Sequence, residues 1–160
     1  IQFQNLKKVY PFQKNLRIKF MERISKKCNE LQILNRINII DHGYPHNDFL
    51  NLVKLSYIQL DVYPFGGCNS SLECLEQGIP IITQESKMLN GRFTTGFYKK
   101  INLTEMVAKN KKEYIKITNK LLNNKKYYND IIEKIKNSNH NLFMEKKSIN
   151  TWYDFIKQNI

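Results

Sequence analysis

Residues 60–83, LDVYPFGGCNSSLECLEQGIPIIT, carry a strand, a glycine loop, a short helix and a second strand in one run. The apolar stretch IQLDVYPF predicts a strand ending near Pro64. Gly66 and Gly67 break it, a helix starts near Asn69, and Gly78 past its end leads into a strand from Ile79 to Thr83. A helix that begins where a glycine loop ends presents backbone N–H groups at the positive end of its dipole. Ser70 and Ser71 add two hydroxyls there, so the segment reads as an anion site whose fitting guest is the phosphate of a nucleotide. No Gly-Lys-Ser/Thr follows the glycines and no GxGxxG is present, which excludes a Walker loop and the dinucleotide fingerprint.

Outward from this segment, short apolar runs alternate with longer amphipathic ones, the pattern of βαβ units around a parallel sheet. Ile1 to Asn5 reads as a strand, and a helix follows from Pro11 to about Asn29 with Leu16, Phe20, Ile24 and Cys28 on one face. Ile37 to Asp41 reads as a strand, DHGYPHND as a loop, and DFLNLVKLSY as a helix burying Phe49, Leu50, Val53 and Leu55. After Thr83 the chain turns helical, at about Lys87 to Lys100, Lys111 to Asn123, Lys125 to Asn137 and Glu145 to Gln158. The last of these carries Ile149, Trp152, Tyr153 and Ile156. The expected fold is α/β: one domain over residues 1–160, with a Rossmann-like parallel sheet of four strands and a helical C-terminal end. That is thin for a doubly wound sheet. A first residue Ile1 rather than Met predicts a fragment of a longer protein.

With 160 residues, 41% of them hydrophobic, the chain is long enough to bury a core without staples. The three cysteines, Cys28, Cys68 and Cys74, cannot all pair and have no ligand-like spacing with the three histidines, so the reading holds no disulfide scaffold and no metal. No apolar run approaches the ~18 residues of a membrane span, and IQFQNLKKVYPF lacks the layout of a signal peptide. The expectation is a cytoplasmic protein with reduced thiols and no membrane partner. The net charge of +12 sits in the flanks, because residues 61–98 hold two Lys/Arg against four Asp/Glu. Of 26 basic residues only four are Arg, the residue that phosphate and base recognition favours, so the lysines read as a solvated surface rather than a nucleic-acid site.

Single residues admit two readings each. Glu73 follows Ser70 by three positions, which is the spacing of a capping box, and equally sets a carboxylate on the first turn to accept ribose hydroxyls. Cys68 and Cys74 read as small buried fillers, there being no partner base. His46, in the loop Gly43, Tyr44, Pro45, His46, reads as a surface or capping residue, or as a contact to a nucleotide base. His42 and His140 give no sharp signal. Asp41 and Asp61 end strands, and Asp61 is the better placed to orient the glycine loop. Arg92 reads as a partner of Glu85 or of a backbone carbonyl.

The stretch FGGCNSSLECLEQGIPIIT, followed by MLNGRFTTGFYKKINLTEMVAKNKKEYI, resembles the C-terminal catalytic half of the SPINDLY-type O-linked N-acetylglucosamine (O-GlcNAc) transferases, which have the GT-B glycosyltransferase fold. PHNDFLNLVKLSYIQLDVYPFGG fits the preceding part of the same half. The glycine loop, the acidic residue, Gly-x-Pro, Gly-Arg and Ala-x-Asn occur in one order. The resemblance implies binding of a UDP-sugar donor, UDP-GlcNAc in the family, and transfer of its sugar to a protein acceptor held against a missing N-terminal half with or without TPR repeats. By position it implies donor-site roles for Cys68, Asn69, Ser70, Ser71, Glu73 and Arg92, and with His46, Gly66 and Gly67 from the residue reading these make up the expected donor site. There Cys68 to Ser71 lie against the diphosphate, Glu73 against the ribose, and Arg92 acts as organiser or as diphosphate-facing charge. Asn69 departs from the hydroxyl common in the family, and its amide still donates. No catalytic base is assigned, and the phosphate-neutralising lysine falls upstream in the family. A UDP-glucose-dependent protein N-glucosyltransferase and a non-catalytic UDP- or polyanion-binding module are the alternatives.

Overall fold

A computed structural model describes residues 11–38, 40, 45–143 and 146–159. It forms two compact units, Ile1–Gly43 and Tyr44–Ile160, where the sequence reads as a single domain. In the first, helix α1 (Pro11–Glu30) ends in a turn and a 3-10 segment at Leu34–Arg36. Met21 and Cys28 are its buried side chains, whereas Leu16 and Phe20, expected on the same covered face as Cys28, are more than half exposed. Ile37, Asn38 and Ile40 form no strand. The expected strand Ile1 to Asn5, and Ile39, Asp41, His42, Gly43 and Tyr44, lie outside the described residues.

The second unit opens with α2 (His46–Leu55), whose Val53 enters the core with Phe49 against it, while Leu55 points to solvent. Then come β1 (Gln59–Leu60), α3 (Asn69–Glu76), β2 (Ile81–Gln84), α4 (Phe93–Lys100) and β3 (Val107–Ala108). The helices α5 (Lys111–Asn123), α6 (Lys125–Ser138) and α7 (Lys146–Asn159) complete the chain. The sheet has three parallel strands in the order β1-β2-β3, with Gln59 opposite Ile81 and Thr83 opposite Val107. β3 was not anticipated, being two residues after a 3-10 turn, too short for periodicity to register. Among the described residues no helix is long and apolar enough to cross a membrane.

Gly78 takes φ +77°, the left-handed conformation that ends α3 and turns the chain into β2. α4 begins at Phe93 rather than Lys87, because a Cβ on Gly91 would overlap Ser86 Oγ and the Pro64 carbonyl, and the chain from 86 to 91 is folded tightly against that loop. Asn110 caps α5 by accepting the Glu113 N–H at 3.0 Å, while Glu113 accepts the Lys109 N–H at 2.7 Å. The core gathers Leu75, Ile81, Ile82, Leu103, Met106, Leu121, Ile131 and Ile135 around the central strand. Every side chain of α7 lies exposed, including Ile149, Trp152, Tyr153 and Ile156.

One contact closes a gap in the sheet. The carbonyls of Pro80 and Ile82 face β1, so the N–H and C=O of Ile81 face the other side, where β3 has not yet begun. The fully buried Tyr98 hydroxyl fills that place, accepting the Ile81 N–H and donating to the Ile81 carbonyl, both at 2.8 Å. Burial pushes the Tyr98 hydroxyl well above its ordinary range, and Tyr114 is pushed up to about 12, by burial first and Asp61 second.

Two outcomes follow from this contact. Tyr98→Phe leaves two buried backbone groups unpaired and is expected to cost about 1–3 kcal/mol in urea unfolding. Both phenols hold their protons in the folded chain above the unfolded value of ~10. Stability is therefore expected in full below about pH 10 and lost as pH rises towards 12, less steeply in Tyr98→Phe.

Candidate functional site

The site lies beyond the C-terminal ends of the parallel strands, where open α/β sheets place ligands. Asp61 follows β1 directly and is 8% exposed. Its carboxylate accepts the Gly67 N–H at 2.7 Å, the Val62 N–H at 3.1 Å and the Thr83 hydroxyl at 2.8 Å. A buried carboxylate needs such donors, and here they come from the loop above it and the neighbouring strand. The Tyr114 hydroxyl donates to the Asp61 carbonyl at 2.9 Å and ties α5 to the same point. The glycine loop is thus held from beneath by Asp61, as its strand-end position predicts.

Gly66 and Gly67 are required by close approach. A Cβ on Gly66 would sit 2.8 Å from Asp61 Oδ2, and one on Gly67 would overlap Ser71 Oγ and lie 2.8 Å from Ser70 Oγ. Both hydroxyls therefore lie against Gly67. α3 starts at Asn69 with Cys68 as its N-cap and no side-chain cap bond, so Ser70 and Glu73 do not form a capping box. The Leu72 N–H, bonded to the Cys68 carbonyl at 3.0 Å, is the first in the helix with a backbone acceptor. The N–H groups of Asn69, Ser70 and Ser71 ahead of it have no helical acceptor. Asn69 is exposed and Ser70 half-buried, whereas Ser71 has no exposed surface and its oxygen accepts the Thr94 hydroxyl at 2.9 Å.

Glu73 is one turn further on, half-buried, with the exposed His46 at the start of α2 facing it: His46 Nδ1 lies 3.6 Å from Glu73 Oε1. Two residues singled out from separate segments, on α2 and α3, thus meet. Arg92 caps α4 and donates from Nε to Glu85 Oε1 at 3.1 Å, while Lys99 reaches Glu85 Oε2 at 3.4 Å. This is the structural partner its plain reading names. Cys68 is half-buried; Cys74 is buried, and its thiol is pushed up to about 11 by burial and by Glu73, which leaves it protonated and unreactive. Thr94 and Thr83, which hold the loop and Ser71, were missed. A hydroxyl in a helix or strand interior carries no local pattern, and only the fold brings it to the glycines.

A family model described as Glycosyl transferase family 41 matches residues 9–151. The chain is 25% identical over 83 residues to an Arabidopsis thaliana protein named as probable UDP-N-acetylglucosamine--peptide N-acetylglucosaminyltransferase SPINDLY, covering 52% of this chain and 9% of that one. A Petunia hybrida protein of the same name is 24% identical over 82 residues, covering 51% and 9%. The solved structure of a Thermobaculum terrenum O-GlcNAc transferase mutant matches with a TM-score of 0.60 and 28% identity, over 64% of this chain and 20% of that one. The α/β architecture with its small parallel sheet is the fold shared with that structure. The chain spans about one tenth of the length of the curated relatives it matches.

The geometry sets two expected outcomes. Gly67→Ala displaces the two serine hydroxyls and the start of α3 and is expected to cost about 1–3 kcal/mol in denaturant unfolding. In the native chain at pH 8, iodoacetamide is expected to modify Cys68 before Cys74, read by peptide mass spectrometry, with Cys74 reacting only after denaturation.

Proposed function

The chain belongs to glycosyl transferase family 41, and on that premise we propose that it is the donor-binding part of an inverting glycosyltransferase. Its donor is UDP-N-acetylglucosamine and its acceptors are protein serine and threonine hydroxyls. The single observation that carries the reading is the open start of α3 over a glycine loop with no room for side chains, flanked by a carboxylate one turn away. A diphosphate meets the N–H groups of Asn69 and Ser70, the Ser70 hydroxyl and the Asn69 amide. Glu73 accepts from the ribose hydroxyls, and His46 flanks the base. Arg92 acts through Glu85 as an organiser of α4. Names carried by relatives support the donor and acceptor, and the half that holds the acceptor belongs to the remainder of a longer enzyme.

Chemically, an acceptor hydroxyl attacks the anomeric carbon from the face opposite the leaving group and releases its proton to water, and the bond from that carbon to the β-phosphate oxygen breaks with its electron pair passing to UDP. The charge that develops there faces the dipole and free N–H groups of α3, which are in place before the reaction begins. Positive potential from backbone dipoles suits a segment whose side chains carry more acid than base.

Calorimetric titration of UDP and CDP into the 160-residue chain at two salt concentrations tests this. Saturable binding that prefers UDP at both salts, weakened about 10- to 100-fold in Glu73→Ala and Ser70→Ala, is expected. A folded chain that does not distinguish UDP from CDP and loses both steeply with salt would be a lysine-driven polyanion binder.

A further inference from the structure

We infer that Asp61 and Thr94 form a two-sided clamp on Gly67 that sets the diphosphate end of the site; the inference rests on the donor-site reading above. Asp61 takes the Gly67 N–H at 2.7 Å from one side. From the other, the single Thr94 hydroxyl proton is shared between the Gly67 carbonyl at 3.3 Å and Ser71 Oγ at 2.9 Å. Thr94 is 2% exposed and Ser71 has no exposed surface, so neither hydroxyl is a surface group in contact with water. Together the contacts run from the end of β1, through the loop and the first turn of α3, to the first turn of α4. The Gly67 N–H is taken by Asp61 and its carbonyl shares the Thr94 proton, while the N–H groups of Asn69, Ser70 and Ser71 precede the first helical bond of α3.

A pair of glycines is the costliest backbone to order. A loop left free would be ordered only when the diphosphate arrives, and affinity would fall by the cost of fixing it. With both sides of Gly67 held during folding, the donors stand at fixed positions beforehand. Asp61 and Thr94 are thus positioning residues that touch the loop and not the ligand. Their effect is confined to the part of the donor that the loop meets: the diphosphate is affected and the nucleoside, held by Glu73 and His46, is not.

The test compares UDP with uridine in the 160-residue chain by NMR titration, for wild type, Asp61→Ala, Thr94→Val and Thr94→Ser. Thr94→Val keeps the shape and removes the hydroxyl, so it remains informative if Asp61→Ala does not fold. UDP affinity is expected to fall about 5- to 30-fold in Thr94→Val with uridine affinity unchanged, and Thr94→Ser restores UDP binding. Unchanged UDP affinity in Thr94→Val, or equal losses for UDP and uridine, overturns the clamp. A folded wild type that binds neither probe defeats the donor-site reading instead. The clamp is then read without ligand from amide hydrogen exchange, where Gly67 is protected in wild type and exchanges at least about tenfold faster in Asp61→Ala or Thr94→Val. Equal exchange in all the chains overturns it.

Discussion

The hydrogen bond from the Gly67 N–H to the buried Asp61 carboxylate is the constraint on which the rest of this unit depends. A carboxylate at the end of a parallel strand, out of water, is tolerable only when donors surround it. Its donors are the loop that follows, the next residue and Thr83 on the adjacent strand. The Asp61 N–H still bonds the Ile82 carbonyl at 2.9 Å, and the chain leaves the sheet after it. That exit brings Gly67 under the serine hydroxyls and starts α3 with its first N–H groups facing outward. Gly66 and Gly67 follow from this closeness, since each would place a Cβ against an oxygen.

The site's electrostatics come from the backbone. Residues 61–98 carry two basic side chains against four acidic ones, and both basic residues have local explanations or sit apart: Arg92 is bound to Glu85 and Lys87 is exposed. Attraction for an anion therefore falls to helix N–H groups and the α3 dipole, which act over a few ångströms and are weakly screened when the ligand excludes water. Some lysines of the flanking helices have surface partners, Lys134 bonding Glu105 and Lys120 lying over the Tyr127 ring. The charge of +12 is carried by the flanks, since residues 61–98 hold two Lys/Arg against four Asp/Glu.

Much of this was legible in the sequence because the signals are local. The glycine pair, the helix start near Asn69, Gly78 and the helices after Asn110 and Asn124 were readable from turn residues, caps and period. What failed needed tertiary knowledge. Ser-x-x-Glu has the spacing of a cap, yet Cys68 is the N-cap and Ser70 lies inside the helix. The stretch from Lys87 to Arg92 has a helical pattern, yet Gly91 is pressed against Ser86 and Pro64. Val107 and Ala108 are too few to read, and they pair with Thr83 and Gln84 beyond the place at Ile81 that Tyr98 fills. Leu55 follows the apolar stripe in pattern but falls at the end of α2, past the core. Thr94 and Thr83 carry no motif at all, and the meeting of His46 with Glu73 depends on how α2 lies beside α3.

The central claim is that a nucleoside diphosphate binds where the glycine loop meets α3. The most direct measurement is amide chemical-shift mapping of the isotopically labelled chain as UDP is added. The account predicts saturable shifts concentrated at residues 66–73 and at His46, with α5 and α6 unmoved. Shifts spread over the lysine-bearing faces of α5 and α6, with the glycine loop silent, would contradict it.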